Sequence, residues 1–281
     1  MRKPFVAGGF YPRAREGVEK LLAKFEARVE ARFRKEKISA GKVFAVVSPH
    51  AGWVYSGFTA MHSYKAIQGT LEQEKAKAPL FVLIGPNHTG LGAPLSLSMQ
   101  DWETPLGVAR VDEEFGHALL KHSSLLEKDE DAHLGEHSIE VQVPFLQWLF
   151  REFTFAPICM GDQSPSAARA VAKAVLEAEK ETGRRAVVVA SSDFTHFEPV
   201  EQARKKDFWA IEALEALDAS EWFRRVEEKG LSICGFGPIG VAVEYAKAHD
   251  AKRGVVLHFS NSAEVTGEQE VVDYASIIFQ F

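Results

Sequence analysis

The sequence has little of what marks several common protein classes, and each shortage excludes one of them. It has only two cysteines, Cys159 and Cys234, which are too few for a disulfide-stapled scaffold. No apolar run approaches the ~20 residues that a membrane-spanning helix needs. The start, MRKPFVAGGFYP, has a basic tip but lacks the apolar segment of a secretory signal. We therefore expect a cytoplasmic protein that has no membrane partner.

Excess positive charge is also missing. The chain of 281 residues has 33 Lys plus Arg against 39 Asp plus Glu, which gives a formal charge of -6. Its basic residues alternate with glutamates, as they do from Arg32 to Lys37, so no basic stripe suggests a nucleic-acid partner. No G-x-G-x-x-G or Walker A string follows a strand, and no G-x-S-x-G elbow is present. These absences argue against nucleotide binding and against a serine hydrolase.

What the chain does contain is an alternation of short apolar runs with amphipathic stretches. Continuous apolar runs are typical of strands that are covered on both faces, and helical spacing fills the gaps between them. We predict one α/β domain over residues 1–281, with a central mixed, largely parallel sheet in a three-layer αβα arrangement. The predicted strands are Val43–Ser48, Leu80–Gly85, Phe153–Ile158, Ala186–Ser191, Gly254–Ser260 and Tyr274–Phe279. The predicted helices are Arg15–Glu36, one from Ser164 and Pro165 to Gly183, Pro199–Leu217, Ser220–Lys229 and one from Pro238, with Leu125–Gly135 as a surface loop.

Three of the predicted strands end in a turn that contains a histidine. His50 follows the first strand, His88 follows the second, and Asp193 and His196 follow Ala186–Ser191. A single histidine after a strand is most often only a turn residue. In open α/β sheets, however, the carboxyl ends of the strands line the crevice that binds ligands. Three histidines at equivalent positions therefore predict a shared site.

Cys234 lies in the segment SICGFGPIG, directly before the helix predicted from Pro238. The dipole at a helix N-terminus lowers the pKa of a thiol there, and a thiolate is a good ligand for iron, zinc or copper. The alternative is an inert buried cysteine, which is our interpretation of Cys159. Gly235 and Gly237 suggest a close backbone approach, which favours a functional Cys234.

The string from His133 to His137 matches the H-x-x-E-H pattern of zinc peptidases. In those enzymes the two histidines share one helix face and both bind the metal. Because of Gly135 and the acidic run before the string, we expect no helix across it, and we expect the next helix to begin near Ser138. A zinc-dependent hydrolase is therefore an alternative, and it requires both His133 and His137 to contact the metal.

Six segments, taken in order, resemble the Memo family, whose prokaryotic members are often called AmmeMemoRadiSam system protein B. Together they span nearly the whole chain. The segments are AGGFYP at 7–12, SPHAGWVYSG at 48–57, GPNH at 85–88, EHSIE at 136–140, SSDFTH at 191–196 and CGFGP at 234–238.

The resemblance implies a fold like that of the class III extradiol ring-cleavage dioxygenases. Those enzymes hold non-haem Fe(II) with two histidines and a carboxylate, and another histidine acts as acid and base. By similarity, His50 and His88 fall on the histidine ligands, and Cys234 falls where the Memo family places a thiol. His196 falls on the acid–base histidine, and Asp193 beside it would orient it.

The resemblance also implies a function. A thiolate in place of the carboxylate makes the metal site softer and adds an oxidisable ligand, which argues against ring cleavage. We expect Fe(II), or else copper or zinc, and O₂-dependent oxidation of a small substrate. Tyr55 and Trp53 would shape the substrate side, and the aromatic residues of AGGFYP would help to wall it. The alternative is a crevice that binds a peptide or partner protein without turnover. The family is associated with phosphotyrosine peptides in animals and with a radical-SAM partner protein in prokaryotes.

Overall fold

The computed structural model describes residues 1–36 and 41–281, and within them eleven strands form a twisted sheet between layers of helices. The strands are β1 (Val43–Ser48), β2 (Leu80–Pro86), β3 (Leu95–Leu97), β4 (Trp102–Thr104), β5 (Gly107–Val111), β6 (Glu127–Lys128), β7 (Thr154–Met160), β8 (Ala186–Ser191), β9 (His196–Pro199), β10 (Arg253–Asn261) and β11 (Glu270–Gln280). The helices are α1 (Arg15–Glu36), α2 (Trp53–Gln73), α3 (Glu113–His122), α4 (Asp131–Leu134), α5 (Val143–Leu149), α6 (Pro165–Thr182), α7 (Val200–Glu215), α8 (Ala219–Lys229), α9 (Phe236–Ala248) and α10 (Ala263–Thr266), and a 3₁₀ turn lies at Glu140–Gln142.

The sheet is mixed, and its centre is parallel, as predicted. The strand order is β10-β11-β1-β8-β2-β7-β3-β6, and β1, β8, β2 and β7 run parallel to one another. β11 pairs antiparallel with β1, and β3 pairs antiparallel with β7. Every residue of β1, β2 and β8 is buried, which accounts for their continuous apolar sequences.

Two hydrophobic clusters, one on each face of the sheet, create the predicted three layers. One cluster packs α3, α6, α7, α8 and α9 against the sheet, and the other packs α1, α2 and α5. Side chains of the central strands point alternately into the two clusters. Among the described residues, none of the helices has the length and apolarity needed to cross a membrane.

The sequence placed most element boundaries to within a few residues. α1 has the predicted bounds, and α6 is capped by the Ser164 hydroxyl oxygen, which accepts a hydrogen bond from the Ala167 amide at 3.2 Å. Gly183 caps the C-terminal end of α6, and its φ of +66° suits glycine. The prediction of a loop over Leu125–Gly135 was wrong in part, because β6 and α4 form within it, with Asp129 accepting a hydrogen bond from the Asp131 amide at the start of α4.

A buried ion pair fastens the start of the chain to the segment before α5. The Arg2 guanidinium donates to Glu140 Oε2 at 2.7 Å, and both residues are almost completely buried. The same carboxylate accepts from the Phe5 and Val6 amides and from the Tyr11 hydroxyl. With its lone pairs satisfied in this way, Glu140 fixes residues 2–11 beside the edge of the sheet where the parallel strands end.

We expect Glu140→Gln to destabilise the protein by about 3–5 kcal/mol, because it leaves the Arg2 charge buried without a counter-charge. Urea unfolding would measure the change. Glu177→Gln is the control: it breaks an exposed pair with Lys180 and should leave the midpoint unchanged. A Glu140 variant as stable as this control would show that the buried pair does not hold the segment.

Candidate functional site

The carboxyl ends of β1, β8 and β2 open into a crevice with a volume of about 450 Å³. Ser48 at the end of β1 pairs in register with Ser191 at the end of β8, and Ile84 of β2 pairs with Ala190. The turns that follow these strands therefore start at the same edge. The structure brings together the four residues that the sequence placed there, and all of them line the crevice: His50, His88, Asp193 and His196.

Hydrogen bonds around Ser191 decide which nitrogen of His50 carries its proton. The Ser191 hydroxyl donates to the Ser138 carbonyl oxygen at 2.6 Å and accepts from the Gln142 amide nitrogen at 2.8 Å. Its only hydrogen is thus in use, so His50 Nδ1, 2.9 Å away, must be the donor. His50 Nε2 is then unprotonated and has a free lone pair.

The orientation of the Gln142 amide is fixed by its own neighbours. Its oxygen accepts hydrogen bonds from the Tyr64 hydroxyl at 2.6 Å and from the Ser48 hydroxyl at 3.0 Å. The amide nitrogen must therefore face Ser191 and the Pro49 carbonyl oxygen. This buried chain of side chains sets the tautomer of His50 from behind the crevice.

Glu136 accepts a hydrogen bond from Nδ1 of His88, as Ser191 does from Nδ1 of His50. The backbone amide of His88 donates to Glu136 Oε2 at 2.6 Å, and His88 Nδ1 lies 2.9 Å from Oε1. Burial raises the pKa of Glu136, but the hydrogen bond and charge of His88 outweigh it and lower that pKa to about 2. An ionised carboxylate only accepts, so Nδ1 carries a proton, and a neutral His88 then has its lone pair on Nε2. This carboxylate–histidine pairing is the one that commonly supports metal-binding imidazoles.

Cys234, in the loop before α9, lies beside His50. Its Sγ lies 3.1 Å from His50 Nε2 and accepts a hydrogen bond from the Asp193 amide at 3.3 Å. The close backbone approach predicted from the flanking glycines is present, since a Cβ on Gly235 would lie 2.4 Å from the Ser191 carbonyl oxygen. The prediction of a lowered thiol pKa was wrong for the metal-free protein: burial and the Asp193 carboxyl raise the pKa of Cys234.

These three side chains form a donor set that fits a metal ion. One ligand atom each from His50, His88 and Cys234 lies within 4.8 Å of the other two, which is close to the span that two bonds of about 2.1–2.3 Å can bridge. Two unprotonated imidazole nitrogens and one sulfur suit iron, zinc and copper. His88, Glu136 and His137 form a second group of the same compactness, but the Glu136 carboxylate is already bonded to His88.

His196 also lines the crevice, and its hydrogen bonds correct one expectation. Its Nδ1 donates to the Ser232 carbonyl oxygen at 2.7 Å, so Ser232 orients the ring, where we expected Asp193 to do so. Asp193 Oδ1 instead accepts from the His50 and Ala51 amides, at 2.8 and 3.3 Å. Burial raises the pKa of Asp193 to about 6. Asp193 therefore orders the turn that bears His50.

The two aromatic residues expected on the substrate side are placed differently from each other. Tyr55 and Phe10, the latter from the AGGFYP segment, both line the crevice. Tyr55 is 38 % exposed. Trp53 corrects the expectation, because it is only 1 % exposed and donates its indole N–H to the Val141 carbonyl oxygen at 3.1 Å. It packs against Tyr11 and supports the crevice from within the core.

Sequence reasoning missed His137 as a crevice residue. Its ring lies 4.6 Å from that of His88 and 5.3 Å from that of His50, and burial lowers its pKa to about 4. The peptidase-like string obscured it, although the segment EHSIE contained the signal. α4 ends at Leu134, so His133 does not share a helix face with His137. His133 Nε2 faces the Ser96 carbonyl oxygen at 3.3 Å, which argues against the zinc-hydrolase alternative.

Comparison with known proteins places these features in a family. The family described as Memo-like protein matches residues 2–278. A MEMO1 family protein of Methanosarcina acetivorans is 42 % identical over 282 residues, covering 100 % of this chain and 99 % of that protein. One from Archaeoglobus fulgidus is also 42 % identical and is covered completely. Among solved structures, the uncharacterized protein JW3007 of Escherichia coli K12 has the same fold, with a TM-score of 0.54 at 11 % identity, over 84 % of this chain and 98 % of that one.

We expect Gly235→Ala to destabilise the protein by about 1–3 kcal/mol, because the added methyl group overlaps the Ser191 carbonyl oxygen and pushes the Cys234 loop outward. Thermal unfolding of the metal-free protein would measure it. Gly69→Ala is the matched control, since its methyl group meets nothing within 4 Å on α2, and it should stabilise by about 0.5–1 kcal/mol. Equal stability of the two variants would mean that the loop is not held close to β8.

Proposed function

The chain belongs to the Memo family, and from that premise we propose that it is a metal-binding member in which His50, His88 and Cys234 hold one Fe(II) ion for O₂-dependent oxidation of a small substrate. Copper and zinc are the alternative metals. One observation carries the proposal: both imidazoles have their Nδ1–H committed to a fixed acceptor, which leaves Nε2 free to bind within reach of the Cys234 sulfur.

The choice of metal follows from the donors. Three protein ligands leave positions open for a substrate or for O₂, as catalytic metal sites do and closed structural zinc sites do not. Because the thiolate is soft and the imidazoles are borderline, the set favours a transition metal over Mg²⁺ or Ca²⁺. When bound, Fe(II) would supply Lewis-acid and one-electron chemistry.

The remaining residues have separate roles in this proposal. Glu136 and Ser191 keep the two imidazoles in the tautomer that binds a metal. The Nδ1–H of His196 is held by the Ser232 carbonyl oxygen. In this proposal its Nε2 accepts a proton from the substrate and later returns it. Tyr55 and the aromatic wall beside it would exclude water and orient the substrate ring.

Metal content tests the ligand set directly. After anaerobic purification and Fe(II) loading, mass spectrometry should find close to one iron per wild-type chain and little or none in Cys234→Ser and His88→Ala, because each variant removes a donor. His196→Ala should keep its iron and lose turnover, since that ring is a proton carrier in the proposal. His133→Ala is the control and should keep its iron as well.

Each of the other results would change the assignment. Iron retained in both Cys234→Ser and His88→Ala would refute this ligand set, and iron lost from His196→Ala would refute the division of roles. Failure of the wild-type chain to retain any metal would favour the alternative, in which the crevice binds a peptide or partner protein without turnover.

We expect Ser191→Ala to weaken Fe(II) binding by about 10- to 100-fold, because His50 Nδ1 loses the acceptor that fixes its tautomer. Competition with a chelator of known affinity would measure the change. Ser63→Ala is the control: it removes a buried serine hydroxyl that donates to the Val47 carbonyl oxygen, away from the crevice. If both variants bind iron equally, the hydrogen bond to Ser191 has no part in metal binding.

A further inference from the structure

Away from the histidines, the crevice wall is rich in aromatic side chains. Phe10, Tyr55, Phe197 and Tyr274 all line it, and its volume of about 450 Å³ suits a small molecule. Phe197 has two unfavourable features at once. It is 75 % exposed, and its φ of +56° lies in the left-handed region that bulky residues avoid. Strained backbone with an exposed aromatic ring at the mouth of a cavity is typical of a ligand contact.

Tyr274 adds a hydroxyl group to the same wall. The residue is only 2 % exposed, yet it lines the crevice, close enough to Asp193 for that carboxyl to act on its hydroxyl group. In the part of the chain that the structure describes, its hydroxyl has no hydrogen-bond partner. The hydroxyl oxygen is open to the crevice, so a polar atom of a ligand could form a hydrogen bond with it.

Apart from four histidines, the ionisable side chains that the described residues contribute to the crevice are tyrosines and carboxyls, so any charge they carry is negative. Asp193 lies at its inner end, Glu268 and Glu270 lie exposed at its mouth, and none of the described lysines or arginines lines it. Neither of the two glutamates forms an ion pair within residues 1–36 and 41–281. Lys24 and Arg28 belong to a separate groove on the other side of Tyr55.

From these observations we propose that the crevice selects an aromatic molecule that carries a cationic group. Its ring would lie among the aromatic side chains with a ring hydroxyl against Tyr274, and its cation would lie near Glu268, Glu270 and the face of Phe197. Aromatic faces together with carboxylates recognise organic cations, whereas the carboxylates at the mouth would repel an anion. The inference rests on the proposed function in taking this crevice as the ligand site.

Three phenols of similar size but different charge test the selection: tyramine, 4-ethylphenol and 3-(4-hydroxyphenyl)propionate. Titration calorimetry on the metal-free full chain at low salt should show tyramine binding about 3- to 10-fold more tightly than 4-ethylphenol and at least about tenfold more tightly than the anion. Glu268→Gln/Glu270→Gln should lose this preference. The control Glu215→Gln/Glu227→Gln changes the net charge equally on α7 and α8, and should keep it.

A second variant tests the placement of the ring. Tyr274→Phe should weaken all three phenols by about 3- to 10-fold while the preference for the cation stays, because only the hydrogen bond to the ring hydroxyl is lost. Unchanged affinities in this variant would refute the contact with Tyr274.

Three results would overturn the charge selection: equal affinities for the three phenols, the same preference in Glu268→Gln/Glu270→Gln, or no saturable binding of any of them. Failure of this inference and failure of the proposed function can be told apart. Normal iron content without a preference for the cation refutes only the present inference, whereas a preference for the cation in a chain that retains no metal refutes only the iron site.

Discussion

Side-by-side parallel pairing of β1, β8 and β2 is the constraint from which the crevice follows. Parallel strands in register end at the same edge, so the turns after them must share one small volume, although the turn after β8 lies more than a hundred residues along the chain from the other two. His50, His88 and Asp193 are neighbours for this reason. Cys234 joins them because Gly235 lets the start of α9 touch the end of β8, where any side chain would collide with the Ser191 carbonyl oxygen.

A second layer of buried polar groups gives the crevice its chemistry. Glu136, Ser191 and Gln142 are almost completely buried, and each has donors and acceptors matched to its neighbours. Such groups add little to stability but would cost much if left unpaired, so they specify one arrangement. Glu140 extends the same principle to the N-terminal segment, which brings Phe10 to the crevice wall. The polar layer thus fixes the imidazole tautomers, and the aromatic wall is left to face a ligand.

Local patterns in the sequence predicted the central strands and α1 well, because continuous burial and helical spacing leave direct traces in the order of residues. They failed where a contact with a distant segment decides the outcome. Trp53 follows the His50 turn and could have faced either way; packing against Tyr11 turned it into the core. Asp193 is three residues from His196, but the free amides of the His50 turn were closer hydrogen-bond donors. Nothing in the sequence indicated that Tyr274 lines the crevice, since one tyrosine in an apolar strand resembles any core residue.

The sequence by itself determined the layered α/β fold, the strands whose ends form the crevice, and the presence there of His50, His88, His196 and Cys234. Motif resemblance placed the chain in the family to which it belongs. Only the tertiary structure decided which nitrogen each histidine leaves unprotonated, that burial and the Asp193 carboxyl raise the pKa of Cys234, and that Ser232 rather than Asp193 orients His196. Hydrogen-bond partners and burial depend on segments far apart in the chain, and such distances in space have no counterpart in the spacing of residues along it.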